Sequence, residues 1–177
     1  NWDQGQRLVS QIFKQVDGAV ALKAAQTPTF VGTGAMLLQL GQSPLKVGVL
    51  SSDTTAHVVE FLNHYGLIQC VDAWRGTEPG DKAKPHPDLF WELCDCLQIQ
   101  PQHTLMVGDS WADLEVARNA GAAAFVSVGE GWGRSPVPGA DLVISHWSDL
   151  LDIAIGSDER PSVSQAVHPA DEELSAL

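Results

Sequence analysis

Thr104-Leu-Met-Val-Gly-Asp-Ser-Trp-Ala-Asp-Leu-Glu-Val-Ala-Arg-Asn-Ala-Gly121 holds the sharpest change of hydrophobic period in the chain. An apolar run ends in Gly108-Asp109, and a helical pattern begins at Trp111 with a second acid, Asp113, in its first turn. Strand, tight turn and helix follow from that order. Asp109 would then stand at the carboxyl end of a buried strand, where open α/β sheets bind ligands. Asp113, four residues on, faces the same way from the helix. Two converging carboxylates suit a hard cation such as Mg²⁺, which takes oxygen ligands and keeps several waters. Acids at a helix start also act simply as caps or complements to the helix dipole. On these residues alone both readings stand.

The same alternation extends in both directions. Upstream, Leu45-Lys-Val-Gly-Val-Leu50 reads as a buried strand, and Asp53 or Thr54 caps a helix reaching about His64 with Val58, Val59 and Leu62 inward. Gly34 to Leu40 reads as a short helix before it, and Gln4 to Val20 carries apolar residues at helical spacing. Cys70 to Trp74 reads as a short strand, and Arg75 to Lys84 as a polar loop. Pro85 and Pro87 open a helix with the stripe Leu89, Phe90, Leu93, Cys94 and Leu97. Downstream come a strand over Ala122 to Val128, a loop over Gly129 to Gly139, a strand over Leu142 to Ile144 and a helix over Trp147 to Ile153. Strands alternating with amphipathic helices predict an α/β fold with a doubly wound parallel sheet.

Composition narrows the function classes. The 177 residues give room for one ordinary domain, and 44% hydrophobic content is enough for a core. Twenty-two acidic against 10 basic residues leave a net charge of −12, which argues against nucleic acid or an anionic membrane as partner. Cys70, Cys94 and Cys96 are odd in number and form no zinc spacing, so reduced, buried thiols and a cytoplasmic setting are expected. No run has the length of a membrane span.

Two further features join the first. Ser51 follows an apolar strand and precedes a helix, so its hydroxyl and the neighbouring Ser52 can meet a phosphoryl oxygen beside helix-terminal N–H groups. A loop serine or helix cap is the plainer alternative. Lys84 stands 33 positions later in Lys84-Pro85-His86-Pro87, where the prolines stiffen its surroundings and can fix one ammonium. A solvated surface lysine is the plainer reading there, and Lys82 competes for the role.

In this order and context, Leu45-Lys-Val-Gly-Val-Leu-Ser51, Lys84-Pro-His-Pro87 and Gly108-Asp-Ser-Trp-Ala-Asp113 resemble the haloacid dehalogenase-like (HAD) hydrolase superfamily, in its phosphoglycolate-phosphatase-like branch with a helical cap. Leu114-Glu-Val-Ala-Arg-Asn-Ala-Gly121 and Gly139-Ala-Asp-Leu-Val-Ile144 extend the similarity. The resemblance implies that Ser51 and Ser52 bind a phosphoryl group, that Lys84 is the catalytic cation, and that Asp109 and Asp113 hold Mg²⁺ directly or through water. It implies residues 1–27 as the end of a helical cap and 28–155 as the α/β core, while 156–177, rich in Ser, Asp, Glu and Pro, reads by composition as a disordered acidic tail. The substrate would be a small phosphorylated metabolite, and an aspartate would attack phosphorus to give an aspartyl-phosphate.

That aspartate belongs to an Asp-x-Asp motif on the family's first strand, and no two aspartates in this chain lie two positions apart. The resemblance places that strand at the centre of the sheet, between those ending at Ser51 and Asp109. Its absence would leave two unpaired edges. The expectation is therefore an incomplete core that is inactive alone, with the nucleophile in a preceding segment. Two other readings stand beside the phosphatase: an inactive phosphate- or metal-binding regulatory module, and a metal-independent haloacid dehalogenase.

Overall fold

The computed structural model describes Lys23 and residues 27–156. The helical pattern over Gln4 to Val20 and the tail beyond Gly156 lie outside the described residues. Helix α1 (Thr33–Gly41) leads to β1 (Gly48–Leu50), α2 (Thr55–His64) and β2 (Ala73–Arg75). Then follow α3 (Asp88–Leu97), β3 (Leu105–Gly108), α4 (Trp111–Ala120), β4 (Ala124–Val128), β5 (Leu142–Ile144) and α5 (Trp147–Ile155). Strand alternates with helix except between β4 and β5, which a loop with one turn of 3₁₀ helix joins, as the sequence predicts.

Local chemistry sets the boundaries. Thr54 rather than Asp53 caps α2, accepting from the backbone N–H of His57 at 3.3 Å. The strand expected from Leu45 starts later because the Asp72 carboxylate takes the Lys46 ammonium at 2.8 Å and the Val47 N–H at 2.9 Å. Those side-chain bonds replace the first rungs of a ladder. Strand β2 begins at Ala73 and not at Cys70, which ends a turn of 3₁₀ helix and is buried there. At the end of α4, Gly121 takes the left-handed conformation and the Ala122 N–H returns to the Ala117 carbonyl at 2.9 Å. Ala122 is thereby consumed by the helix terminus, and β4 starts two residues on.

All the strand pairs are parallel. β1 pairs with β2, and separately β3 pairs with β4 and β4 with β5. Successive side chains of a strand point to opposite faces, and the clusters follow this rule. Met106 and Phe125 join Phe90 and Cys94 of α3 and Leu114, Val116 and Ala117 of α4. Val107 and Val126 join Met36 of α1 and Leu150, Leu151 and Ile155 of α5 on the other face. Leu50 of β1 packs with the first cluster, while Val49 packs with Val58 and Leu62 of α2. Helices therefore cover both faces, the doubly wound arrangement.

Among the described residues, β1 and β3 are not paired with each other. Ser51 N–H bonds the Arg75 carbonyl and Ala123 N–H bonds the Thr104 carbonyl, which fixes the direction of each ladder. By the alternation of a parallel ladder, Gly48 and Leu50 on β1, and Leu105 and Val107 on β3, turn their backbone groups away from their partners. Among the described residues, no strand pairs with either of these inner edges.

Three aspartates pin strand ends and titrate accordingly. The Lys46 ammonium, with the Val47 N–H, holds the Asp72 carboxyl below its usual range. Arg118, then the Phe125 N–H, does so for Asp141, and the N–H groups of Ser145 and His146 do so for Asp149. A lowered folded-state value stabilises above the ordinary aspartate pKa of about 4 and is lost as pH falls through the lowered values. Urea midpoints are therefore expected to stay level from pH 7 to 5 and to drop below about pH 4. A midpoint that rises on acidification would contradict this.

Candidate active site

Ser51, Ser52, Asp109 and Asp113 follow the carboxyl ends of β1 and β3, and Lys84 reaches them from the loop between β2 and α3. Ser51 follows β1 directly, half-buried, and its Oγ accepts from the Asp53 N–H at 3.1 Å. Its carbonyl accepts from the Thr77 hydroxyl at 3.1 Å, which ties the loop after β2 to the end of β1. Ser52 is exposed beside it. Asp53 pairs with Lys23 and with His57 Nδ1 at 2.9 Å, and the Lys23 hydrogen bond foremost holds its carboxyl below the usual range.

Lys84 crosses from its loop to both sheets. Its Nζ donates to the Leu50 carbonyl at 3.1 Å, on the open side of β1, and to Asp113 Oδ1 at 2.7 Å. The two side chains are only 10% and 11% exposed. Lys82, the competing cation, is 64% exposed and pairs with Asp88 at 3.0 Å. The geometry thus distinguishes Lys84 from its competitor Lys82.

Asp113 is held from a second side. Ser110 caps α4: its Oγ accepts from the Asp113 N–H at 3.2 Å and donates to Asp113 Oδ2 at 2.6 Å. Both carboxylate oxygens of Asp113 therefore have partners. Asp109 differs: it is exposed, and its Oδ2 lies 3.5 Å from Arg134 Nε. Gly108 is required ahead of them, because a Cβ at that position would sit 2.6 Å from the Asp113 Cβ.

The sequence reading missed Ser110 and Arg134. Ser110 had a signal, since Ser three residues before an acid at a helix start is a capping pattern. Arg134 had none, because a loop residue's neighbours are set by the chain path and not by local spacing. Trp111 is 61% exposed beside the acids and is not part of the core. Of the thiols, Cys70 and Cys94 are buried, which pushes both up, whereas Cys96 is exposed against expectation.

A cation fits this donor set in one mode. Among the described residues no three His, Cys, Asp or Glu side chains cluster as ligands. Mg²⁺ commonly uses one or two carboxylates with waters and substrate phosphate oxygens. Asp109 suits that mode as a hard oxygen donor with only a loose ion pair in competition.

Residues 4–127 match the family model of the haloacid dehalogenase-like hydrolases, and the chain belongs to that family. It is 31% identical to the phosphoglycolate phosphatase of Chromobacterium violaceum over 154 residues, covering 86% of this chain and 65% of that protein. It is 29% identical to pyrophosphatase PpaX of Bacillus mycoides over 119 residues, covering 65% of this chain and 54% of the relative. The crystal structure of a predicted phosphoglycolate phosphatase from Haemophilus somnus superposes with a TM-score of 0.63 at 26% identity, over 70% of this chain and 56% of that one. The chain thus spans between about half and two thirds of the length of these proteins.

Proposed function

We propose that this chain forms the larger part of a Mg²⁺-dependent phosphomonoester hydrolase for a small metabolite. The buried Lys84–Asp113 pair at the mouth between β1 and β3 is the observation that carries the reading. An ammonium so placed offsets charge on the equatorial oxygens of a transferring phosphoryl group. Ser51 and Ser52 present hydroxyl and backbone donors to those oxygens. Asp109 is the residue to hold Mg²⁺, which when bound would supply Lewis-acid stabilisation of the same charge. Asp113 serves as a positioning residue, fixing the Lys84 Nζ while Ser110 fixes Asp113.

The attacking carboxylate is assigned to a strand outside these 177 residues, pairing with both open edges. Two observations support this: no Asp-x-Asp pair exists in the sequence, and the inner edges of β1 and β3 are unpaired among the described residues. A carboxylate at the end of that strand would lie between Ser51 and Asp109. Of the relatives' names, phosphoglycolate phosphatase fits a phosphomonoester substrate, whereas pyrophosphatase PpaX points to an anhydride. The unpaired Cys70, Cys94 and Cys96 suit a reducing, cytoplasmic setting.

The intact protein carrying this chain is expected to hydrolyse p-nitrophenyl phosphate with Mg²⁺ and to lose activity in EDTA. Robust turnover in EDTA would contradict the mechanism. No turnover across a phosphate-ester panel would favour a regulatory binding module instead. Release of halide from a haloacid would favour the dehalogenase.

A further inference from the structure

Arg134 stands apart from the other cations. Among the described residues, Lys23, Lys46, Arg75, Lys82, Lys84 and Arg118 each donate a hydrogen bond to a carboxylate. Arg134 donates none among them, and its ionic contact there is the 3.5 Å approach of Nε to Asp109 Oδ2. In a chain of 22 acidic against 10 basic residues carboxylates are plentiful, yet none closes on this guanidinium among the described residues. The side chain is 54% exposed, so its N–H fork is within reach of a ligand.

The loop holds Arg134 from both sides. Two positions before it, Trp132 packs on Trp147 at 4.6 Å and on Phe30 at 5.8 Å between ring centroids. Gly131 lets the loop close on the exit of β5, since a Cβ there would stand 1.8 Å from the Ser145 carbonyl oxygen. Three positions after Arg134, Val137 is buried and its N–H donates to the buried Ser127 Oγ at 2.8 Å. The side chain itself is backed by Phe30, whose ring centroid lies 5.8 Å from the guanidinium carbon. A guanidinium held over a ring still presents N–H donors to a planar anion.

Its neighbour says where that anion lies. Asp109 follows β3 and is the residue assigned to Mg²⁺, so Arg134 borders the phosphoryl site outside the Lys84–Asp113 pair. A carboxylate committed to a metal offers Arg134 less charge, and the guanidinium then needs another counter-charge. A leaving group with its own acid supplies one, and a bare alcohol does not.

We propose that Arg134 is a specificity-determining residue that binds an acidic group on the leaving portion of the phosphoester. The inference rests on the phosphoryl-transfer reading above and narrows its substrate class to short phosphoesters bearing a carboxylate. A paired guanidinium and carboxylate give direction as well as charge.

The test uses the intact protein with Mg²⁺ and two non-hydrolysable phosphonates, 3-phosphonopropionate and propylphosphonate, in which a carboxylate and a methyl group exchange places. In calorimetric titration the carboxylate-bearing analogue is expected to bind at least about tenfold tighter. Arg134→Gln should bring that ratio close to one. Arg134→Lys keeps the charge without the fork and should restore only part of the ratio. Equal affinities in the unaltered protein, no binding of either analogue, or full discrimination surviving Arg134→Gln would each overturn the assignment. If the preference is present yet no phosphate ester is hydrolysed, the hydrolase reading fails and the anion site stands. If p-nitrophenyl phosphate is turned over with Mg²⁺ yet the analogues bind alike, the specificity assignment alone fails.

Discussion

Lys84→Met is expected to destabilise the chain by about 3 kcal/mol or more, read as a drop in the urea midpoint at unchanged slope. The reason is what it leaves behind. Asp113 is nearly buried, its Oδ1 is 2.7 Å from the ammonium, and Ser110 alone cannot balance its charge. Removing one member of a buried pair leaves an uncompensated charge, while replacing both by apolar groups is often neutral. The double variant Lys84→Met/Asp113→Leu should therefore be less destabilised than Lys84→Met alone. If the single variant unfolds with the wild type, the pair is solvated and the site is looser than the geometry indicates. The reciprocal variant Asp113→Asn isolates the other half, leaving an ammonium whose remaining bond is to the Leu50 carbonyl.

Gly108→Ala should have the second largest effect, for a steric reason at the same place. The added Cβ would meet the Asp113 Cβ at 2.6 Å and its Cγ and Oδ2 at 2.8 Å. The Asp113 Cβ is fixed to the first turn of α4, so the helix start must move. Overpacking of this kind costs about 1–3 kcal/mol. The displacement would also draw Asp113 away from Lys84, and misplacement by about 1 Å can cost on the order of 10² in rate. Thermal melting of this chain reads the first effect, and Mg²⁺-dependent turnover by the intact protein reads the second. A variant that melts normally and keeps full turnover would show that the turn has room, against the close approach seen here.

Much of the architecture was legible because it rests on local patterns. Leu89, Phe90, Leu93 and Cys94 recur at helical spacing, and all four are buried on α3. The apolar run before Asp109 forms β3 with Met106 inward, and the cap at Ser110 starts α4 where the pattern changes period. What failed locally failed through tertiary bonds. Arg75 looks like a loop residue, yet it extends β2 because Glu92 and Asp81 pair with its guanidinium beside the sheet. The strand before Gly48 yields to the Asp72 carboxylate, a residue 25 positions away.

The site divides in the same way. Asp109, Asp113, Lys84 and Ser51 stand out by their position relative to strand ends, which periodicity reveals. Their division of labour does not show in sequence. Nothing in the spacing says that Asp113 would be claimed by Lys84 and Ser110 while Asp109 stays exposed, or that Arg134 would reach Asp109 from a Gly- and Pro-rich loop. Those facts depend on how α3, α4 and the loop after β4 close over the strand ends.

Trapping the acyl phosphate tests the proposed phosphoryl transfer through a carboxylate between Ser51 and Asp109. The intact protein, mixed briefly with a ³²P-labelled phosphomonoester and quenched in acid, is expected to carry label that forms only with Mg²⁺. That label should be released by hydroxylamine, as an acyl phosphate is, and should be strongly reduced by Asp109→Asn. Turnover with no such label at any quench time, or label that resists hydroxylamine, would contradict the account.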